Sequence, residues 1–469
     1  MDELRAAIKT AKPGSIIEVA KGTYELQRDL ELKRLVGTPK LPITIRAGFL
    51  LQTRFIGRHV VKVRDSRHLV LEGFRFAMDE AAGGKNGLVS VRNCQDCRIT
   101  RCDFSMRGAE DSEKNHTWLT LYGGASAHNQ VDHNRFSGKR GRGYYLFITG
   151  EGDYVSQGDL IRRNHFVDRT YGKDENEFEA IRIGESRIGN VGGKSHTTIR
   201  ENLFERCQGE DEIVSFKVGG GKFLTNSVID CHGSIVFRDG NDGVFAGNFV
   251  IKTYQERPFA DFRAGGVRFY GSGHRVYNNY FQGLDGTSMK APLAIMHGAP
   301  AGSGAQGVAD GLPASDCQVV HNTWVRCAQL RLGHASKKRP LPPENCEFSG
   351  NIVCETNDSQ LLNLFEADGI SFSGNILYAN RSKETGIESR EFSEREFRVV
   401  DPLLKQSEGL YRLSTESPVV DAAQAKYEFL THDIDQEARD LKPDVGADEL
   451  GTSSVRKPLT PSEVGPTAK

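Results

Sequence analysis

Hydrophobic positions along this chain come in short bursts that alternate with polar ones at a period of two, the period of a strand and not of an amphipathic helix. The bursts themselves repeat. Each ends in Asn or Asp, one further residue, and then an aromatic or aliphatic side chain. In order these are CRITRCDF at Asp103, QVDHNRF at Asn134, LIRRNHF at Asn164, TIRENLF at Asn202 and FLTNSVI at Asn226. They continue as VFAGNFV at Asn248, RVYNNYF at Asn279, VVHNTWV at Asn322, EFSGNIV at Asn351 and SFSGNIL at Asn375. Most spacings are 22 to 31 residues, with gaps of 38 before Asn202 and 43 before Asn322. Strands repeated at a near-constant period predict a solenoid: an all-β, single-domain, right-handed parallel β-helix with one coil per repeat. Each Asn then marks a tight bend and joins a stacked hydrogen-bonded ladder, while the neighbouring Phe, Val or Ile points into the coil.

A solenoid needs caps over its unpaired strand edges. Residues Asp2 to Lys12 predict a short amphipathic helix with Leu4, Ala7, Ile8 and Ala11 on one face, stopped at Pro13-Gly14 and followed by a strand from Ser15 to Val19. That is an N-terminal helical cap. Polar or Gly-rich excursions at 107–115, 187–195 and 283–315 predict loops that wall a cleft. The β-helix is expected over 1–450, and the Pro-, Ser- and Thr-rich stretch 451–469 as a disordered tail.

Composition narrows the partners. The 61 Lys and Arg balance 62 Asp and Glu, a net charge of −1, which gives no reason to expect nucleic acid or a membrane surface. No window reaches the roughly 18 apolar residues of a membrane span. The opening Met1-Asp2-Glu3-Leu4 lacks the basic and apolar regions of a signal peptide, which leaves an intracellular protein or one whose leader has been removed. Nine Cys, an odd number, argue against a full disulfide framework. Cys94 and Cys97 form a CxxC with no second pair at zinc spacing, so buried thiols are expected.

The richest chemistry lies in Glu205–Lys217. Glu210 and Glu212 are two apart, so on a strand both carboxylates face one way. Such a cluster is either an exposed acidic turn or a set of hard oxygen ligands suited to Ca²⁺. Lys217 lies five residues beyond Glu212, so a bend must bring it to the same face. Arg238 follows Lys217 by 21 residues, close to one coil. In the preceding coil, Asn176 and Glu179 offer oxygens and Arg182 a cation. The run Lys139-Arg140-Gly141-Arg142 is either a solvated loop or a further source of cations.

In its motifs the chain resembles polysaccharide lyase family 6, the parallel β-helix family of alginate lyases and chondroitinase B. The resemblance runs from AIKTAKPGSIIEVAKGTYEL to about SPVVDAA at 417–423. Its most specific pieces are NEFEAIRIG (176–184), NLFERCQGEDEIVSFK (202–217), GSIVFRDGN (233–241) and AGGVRFYGSGHRVYNNYF (264–281). It implies Glu210, Glu212 and Asn176 as calcium ligands, Lys217 as Brønsted base and Arg238 in the place of the Brønsted acid. It implies Arg182 and Arg268 as substrate-binding arginines, with Lys139 as a further substrate cation. His274 sits in the shared HRVYNNYF run, either at the substrate or in the fold. Two departures stand out: Asp239 where many relatives carry His after the catalytic Arg, and Glu177-Phe178 in place of the Gly-Gly of an NGGE motif.

The expected activity is calcium-assisted β-elimination of alginate, in mannuronate or mixed mannuronate–guluronate stretches, leaving 4,5-unsaturated uronate ends. A base must be neutral, which a neighbouring cation favours. An arginine, with a pKa above about 12, serves better as a stabiliser of the leaving oxygen than as a proton donor. Dermatan sulfate lysis and a binding-only β-helix are the alternatives. Hydrolysis needs two carboxylates bracketing the bond, and the pair here is too close and comes with a Lys. A polymer-degrading enzyme is expected to be secreted or periplasmic, and nothing in the chain predicts more than a monomer.

Overall fold

Most coils from Asn134 onward turn on a buried asparagine. The computed structural model describes residues 1–469 except 80–83, 85, 108–114, 153, 174, 186–192, 255, 301–311, 381–382, 389 and 452–454. The three excursions expected to wall a cleft lie partly outside the described residues. Three parallel sheets form a right-handed parallel β-helix, and the one α-helix among the described residues is Asp2–Thr10, which buries Leu4 and Ile8. By its internal contacts the chain groups into two compact units, Met1–Lys222 with Leu459–Lys469, and Phe223–Pro458.

In the first unit, each coil runs through one strand of each sheet, as in Leu160–Arg162, His165–Arg169 and Ile181–Ile183. The residue before each bend asparagine adopts the left-handed conformation, φ near +50° at His133, Arg163 and Glu201. That turn aims the amide inward. Asn134 donates its backbone N–H and its Nδ2 to Asn164 Oδ1 at 2.9 and 3.1 Å, and Asn164 does the same to Asn202 at 2.9 and 3.0 Å. All three are fully buried, so every polar atom of the bend needs its partner. Cys102, not Asp103, holds the ladder position of the preceding coil: its N–H donates to Asn134 Oδ1 at 2.9 Å, and Asp103 pairs in register with Arg135. Beside the ladder Phe104, Phe136, Phe166 and Phe204 stack at 4.5–5.0 Å between centroids.

The second unit repeats the device. Asn248, Asn279, Asn322 and Asn351 bond onward in the same way, ending on Asn375. Phe281 and Trp324 stack at 4.9 Å. All nine cysteines are free and buried, as expected.

Most of the expected disordered tail is ordered instead. In the second unit Arg456 donates to the carbonyls of Thr225, Gly247 and Ile434. In the first, Gly465 N–H donates to Arg163 O at 2.8 Å, and the Arg101 guanidinium holds the carbonyls of Pro466 and Ala468. Val464 and Ala468 are buried. The segment has few apolar side chains, but Arg101 of the solenoid wall holds its carbonyls and its own Arg456 reaches carbonyls of the solenoid, which composition does not reveal.

Candidate functional site

In the first unit the strand Glu212–Phe216 pairs with Ile181–Ile183, so that Arg182 stands beside Ser215. The backbone stays extended past the strand, with Lys217 N–H donating to Ile183 O at 2.8 Å. Lys217 therefore alternates to the face that carries Ser215 and Arg182. It is 7% exposed.

Behind it the Gly209 bend packs tightly on the preceding coil. A Cβ at Gly209 would lie 1.9 Å from Phe178 O, so only glycine fits. This approach lets Phe178 N–H donate to Glu210 Oε1 at 2.9 Å. Glu179, Glu210 and Glu212 are all buried. Ser215 Oγ donates to Glu179 Oε1 at 3.0 Å, while the buried Glu179 Oε2 accepts no hydrogen bond among the described residues. The Glu210 carboxyl is pushed far above the usual carboxylate range, first by burial, then by the charge of Glu179 and a hydrogen bond shared with it, and by Glu212. Three desolvated carboxylates on adjoining coils are hard oxygen donors of the kind Ca²⁺ takes, though they do not each bring an oxygen within 4.8 Å of the others. Asn176 is exposed and makes no side-chain hydrogen bond among the described residues. Glu179, three residues on, is the oxygen donor that the fold buries beside Glu210. The Glu177-Phe178 departure from Gly-Gly lies between Asn176 and Glu179.

Arg182 is clamped. Its Nη1 donates to the Tyr144 hydroxyl at 2.6 Å, and its guanidinium lies over the Tyr144 and Phe147 rings. Burial opposes its charge, but Tyr144 and Glu179 outweigh it and hold the guanidinium firmly protonated. Tyr144 is a site residue that the sequence did not single out.

Lys139 lies buried in its loop. It is 3% exposed and its Nζ donates to Arg142 O at 3.0 Å. Burial, then the nearby Arg169, drive its pKa well down. Arg169, 1% exposed, holds the same loop through the carbonyls of Lys139, Arg140 and Gly143.

In the second unit the third sheet carries cations. Arg238, half-buried, follows the strand Gly233–Phe237, with Asp239 buried next to it. Arg268, 4% exposed, pairs in register with Val236 and Ala294, and its Nη1 donates to Met289 O at 3.3 Å. Register then runs from Ala294 to Arg331 and on to Asn363, two positions that sequence reasoning passed over. Asn363 Oδ1 is buried without a hydrogen-bond partner among the described residues, as are both ring nitrogens of the fully buried His297, whose Nδ1 stands 3.7 Å from Glu366 Oε2.

His274, for which a place in the fold was one of two alternatives, is pinned between backbone groups. Its Nδ1 accepts from Gly243 N–H at 3.0 Å and its Nε2 donates to Tyr270 O at 2.7 Å. Burial holds the ring neutral, its pKa down at about 4.

Among the described residues, the group of three acidic side chains whose oxygens lie within 4.8 Å of one another is Asp433, Asp435 and Asp448. These are consumed by the fold: Asp433 accepts three backbone N–H groups, and Asp435 and Asp448 share Arg412.

A family model described as Chondroitinase B matches residues 1–411. No curated protein sequence matches the chain. Among solved structures, the PL6 family alginate lyase AlyGC superposes with a TM-score of 0.73 at 21% identity, over 97% of this chain. This chain spans only 58% of that lyase's length. A mannuronic acid specific family 6 lyase from human gut microbiota gives 0.69 at 23% identity, over 85% of this chain and 90% of its own. The PL6 lyase Pedsa3628 from Pseudopedobacter saltans gives 0.64 at 20%, over 100% and 98%. At such identities the likeness is one of fold.

Proposed function

Because the chain belongs to the chondroitinase B family of PL6 polysaccharide lyases, we propose that it cleaves alginate, within mannuronate or mixed stretches, by calcium-assisted β-elimination. The observation that carries this reading is the buried trio Glu179, Glu210 and Glu212 on the same pair of coils as the buried Lys217. Hydrolysis has no use for a lysine beside desolvated carboxylates, whereas elimination needs a neutral base and a cation at the uronate. Alginate is favoured among uronate polymers because the solved neighbours include alginate lyases, one of them mannuronic acid specific.

The reaction breaks the C5–H and C4–O bonds and forms C4=C5. Lys217 Nζ takes the C5 proton, and the electron pair of the C5–H bond becomes the new C4=C5 bond as the 4-O-glycosidic oxygen departs with the C4–O pair. Glu210 and Glu212, with an oxygen from Glu179 or Asn176, would hold the ion. The chemistry Ca²⁺ supplies when bound there is neutralisation of the C6 carboxylate, without which C5–H is too weakly acidic. Arg182, clamped by Tyr144, orients a neighbouring carboxylate by paired N–H donors. Arg238 stabilises charge on the leaving oxygen, which takes its proton from water or a tyrosine. Arg268 binds a further uronate. The protein acts as a secreted or periplasmic monomer.

The test is the ultraviolet absorbance of the conjugated product on polymannuronate, polyguluronate, mixed alginate and dermatan sulfate, with calcium and with EGTA, beside Lys217→Ala. A rise on alginate that the variant abolishes is expected. A rise on dermatan sulfate alone transfers the activity to that polymer, and a flat trace on every polymer with binding intact leaves a binding protein.

A further inference from the structure

The second unit carries a polar cavity away from the third-sheet cations, at the ends of second-sheet strands. Its volume is about 510 Å³, within the range of ligand pockets, and it is lined by Lys252, Gln282, Arg326, Asn357, Gln406 and Tyr411 among others. The strand register explains why it exists. Ile251 pairs with Gln282 and Gln282 with Val325, so the next residues, Lys252, Gly283 and Arg326, fall on successive coils. Gly283 has φ +70°, and a Cβ there would lie 2.8 Å from Lys252 O. A glycine floor thus separates two cations by two strand spacings, about 9.6 Å.

The opposite wall is the hairpin of Lys405–Ser407 and Leu410–Arg412. Its Tyr411 ring lies against the Arg326 guanidinium at 4.9 Å, which holds that side chain in place. Arg326 Nε donates to Glu355 at 2.7 Å, a pair 52% and 32% exposed and hence weak. Lys252 Nζ donates to Tyr254 O at 2.8 Å and stands 3.7 Å from Asp285, which Arg257 also holds at 2.9 Å. In these pairings three cations meet two carboxylates, leaving positive charge. Asn357 and Gln406 are exposed and make no side-chain hydrogen bond among the described residues. Two open amides, two spaced cations and a tyrosine suit one class of ligand, a sugar chain with ring carboxylates. The amides pair with hydroxyls, the cations with carboxylates two residues apart, since a pyranose in an extended 4-linked chain advances by about one coil.

We propose that this cavity is a second, non-catalytic binding site for an acidic oligosaccharide, which retains the polymer while the third sheet cuts it. Naming that oligosaccharide as uronan rests on the alginate reading above. The test uses Asn357→Ala/Gln406→Ala and, separately, Arg326→Gln, with thermal unfolding of each to establish the fold. On polymer, KM rises about tenfold, the value of one lost charged contact, while kcat and the kinetics on a trisaccharide are unchanged. In the Lys217→Ala background, titration with a mannuronate hexasaccharide finds two sites, reduced to one by the cavity variants. An unchanged KM on polymer, or a single site before and after the substitutions, overturns the proposal while leaving the lyase reading intact. If alginate is not cut but the variants lose binding to another acidic polymer such as dermatan sulfate, the lyase reading falls and the cavity stands with that polymer as its ligand.

Discussion

The third sheet follows the same plan in both units and loads them with opposite chemistry. In the first it carries Glu179, Glu210 and Glu212 out of water, and Glu179 Oε2 accepts no hydrogen bond among the described residues. In the second, Arg268 and Arg331 stand along one register line with Asn363 beyond them. The asparagine ladders and aromatic stacks are alike in both. Because the ladder closes each bend and the stack fills each coil, sites along the third sheet are free of structural duty. Charge can be placed there at little cost to the scaffold. An acidic half that calls for a cation and a basic half that calls for carboxylates are what a calcium-assisted uronate lyase requires.

The sharpest way to break this comparison is Lys217→Ala. Loss of a positioned base lowers kcat by about 10²–10⁴-fold, read by product absorbance. Unfolding stays within a few degrees of the parent, since Lys217 contributes its backbone N–H to the ladder whatever its side chain. A retained rate moves the base elsewhere and empties the acidic half of its catalytic meaning.

His274 separates structure from site within the second unit. Its folded pKa is about 4 and the ordinary value 6.5. Between these limits the unfolded chain takes up a proton that the buried ring refuses. Stability is therefore lost as pH falls through that window, by up to about 3 kcal/mol. Denaturant unfolding at pH 7 and pH 4.5 should show His274→Gln less stable at neutrality and flatter with pH. An unchanged slope returns His274 to the substrate.

Calcium should act on the first unit through its carboxylates. At 100 times its dissociation constant the ion stabilises the fold by about 3 kcal/mol, a rise in melting temperature that EGTA reverses. Glu179→Gln should lose most of that rise and Asn176→Ala little of it. The reverse outcome restores Asn176 as the third ligand. Smallest in effect, Arg331→Gln should raise KM on polymer about tenfold with the calcium response unchanged. A calcium response altered by Arg331→Gln would mean that the two halves are not chemically separate.

The sequence by itself determined the coil. A period-two alternation restarted at a near-constant spacing admits a parallel β-helix and little else, and an Asn at each restart has one economical use, as a ladder partner in a bend. It also placed the acidic cluster and its lysine in one segment, although only Glu212 begins the strand and Glu210 lies in the bend before it. Tertiary structure decided what spacing cannot express. Whether Cys102 or Asp103 sits at the bend depended on the register with Asn134, one residue either way. Which oxygen joins Glu210 depended on how closely Gly209 lets the previous coil approach, and that contact brought Glu179 inward while Asn176 stayed exposed. Lys139 and His274 are polar groups that spacing leaves open to the substrate, and burial and backbone carbonyls hold them. The tail looked disordered because it lacks apolar residues, yet Arg101 holds its carbonyls and its own Arg456 holds carbonyls of the solenoid, partners distant in sequence. Local pattern fixes the period of a solenoid; contacts between coils, set by chain separations of 20 residues or more in each repeat, decide which polar groups are spent on the fold and which are left for chemistry.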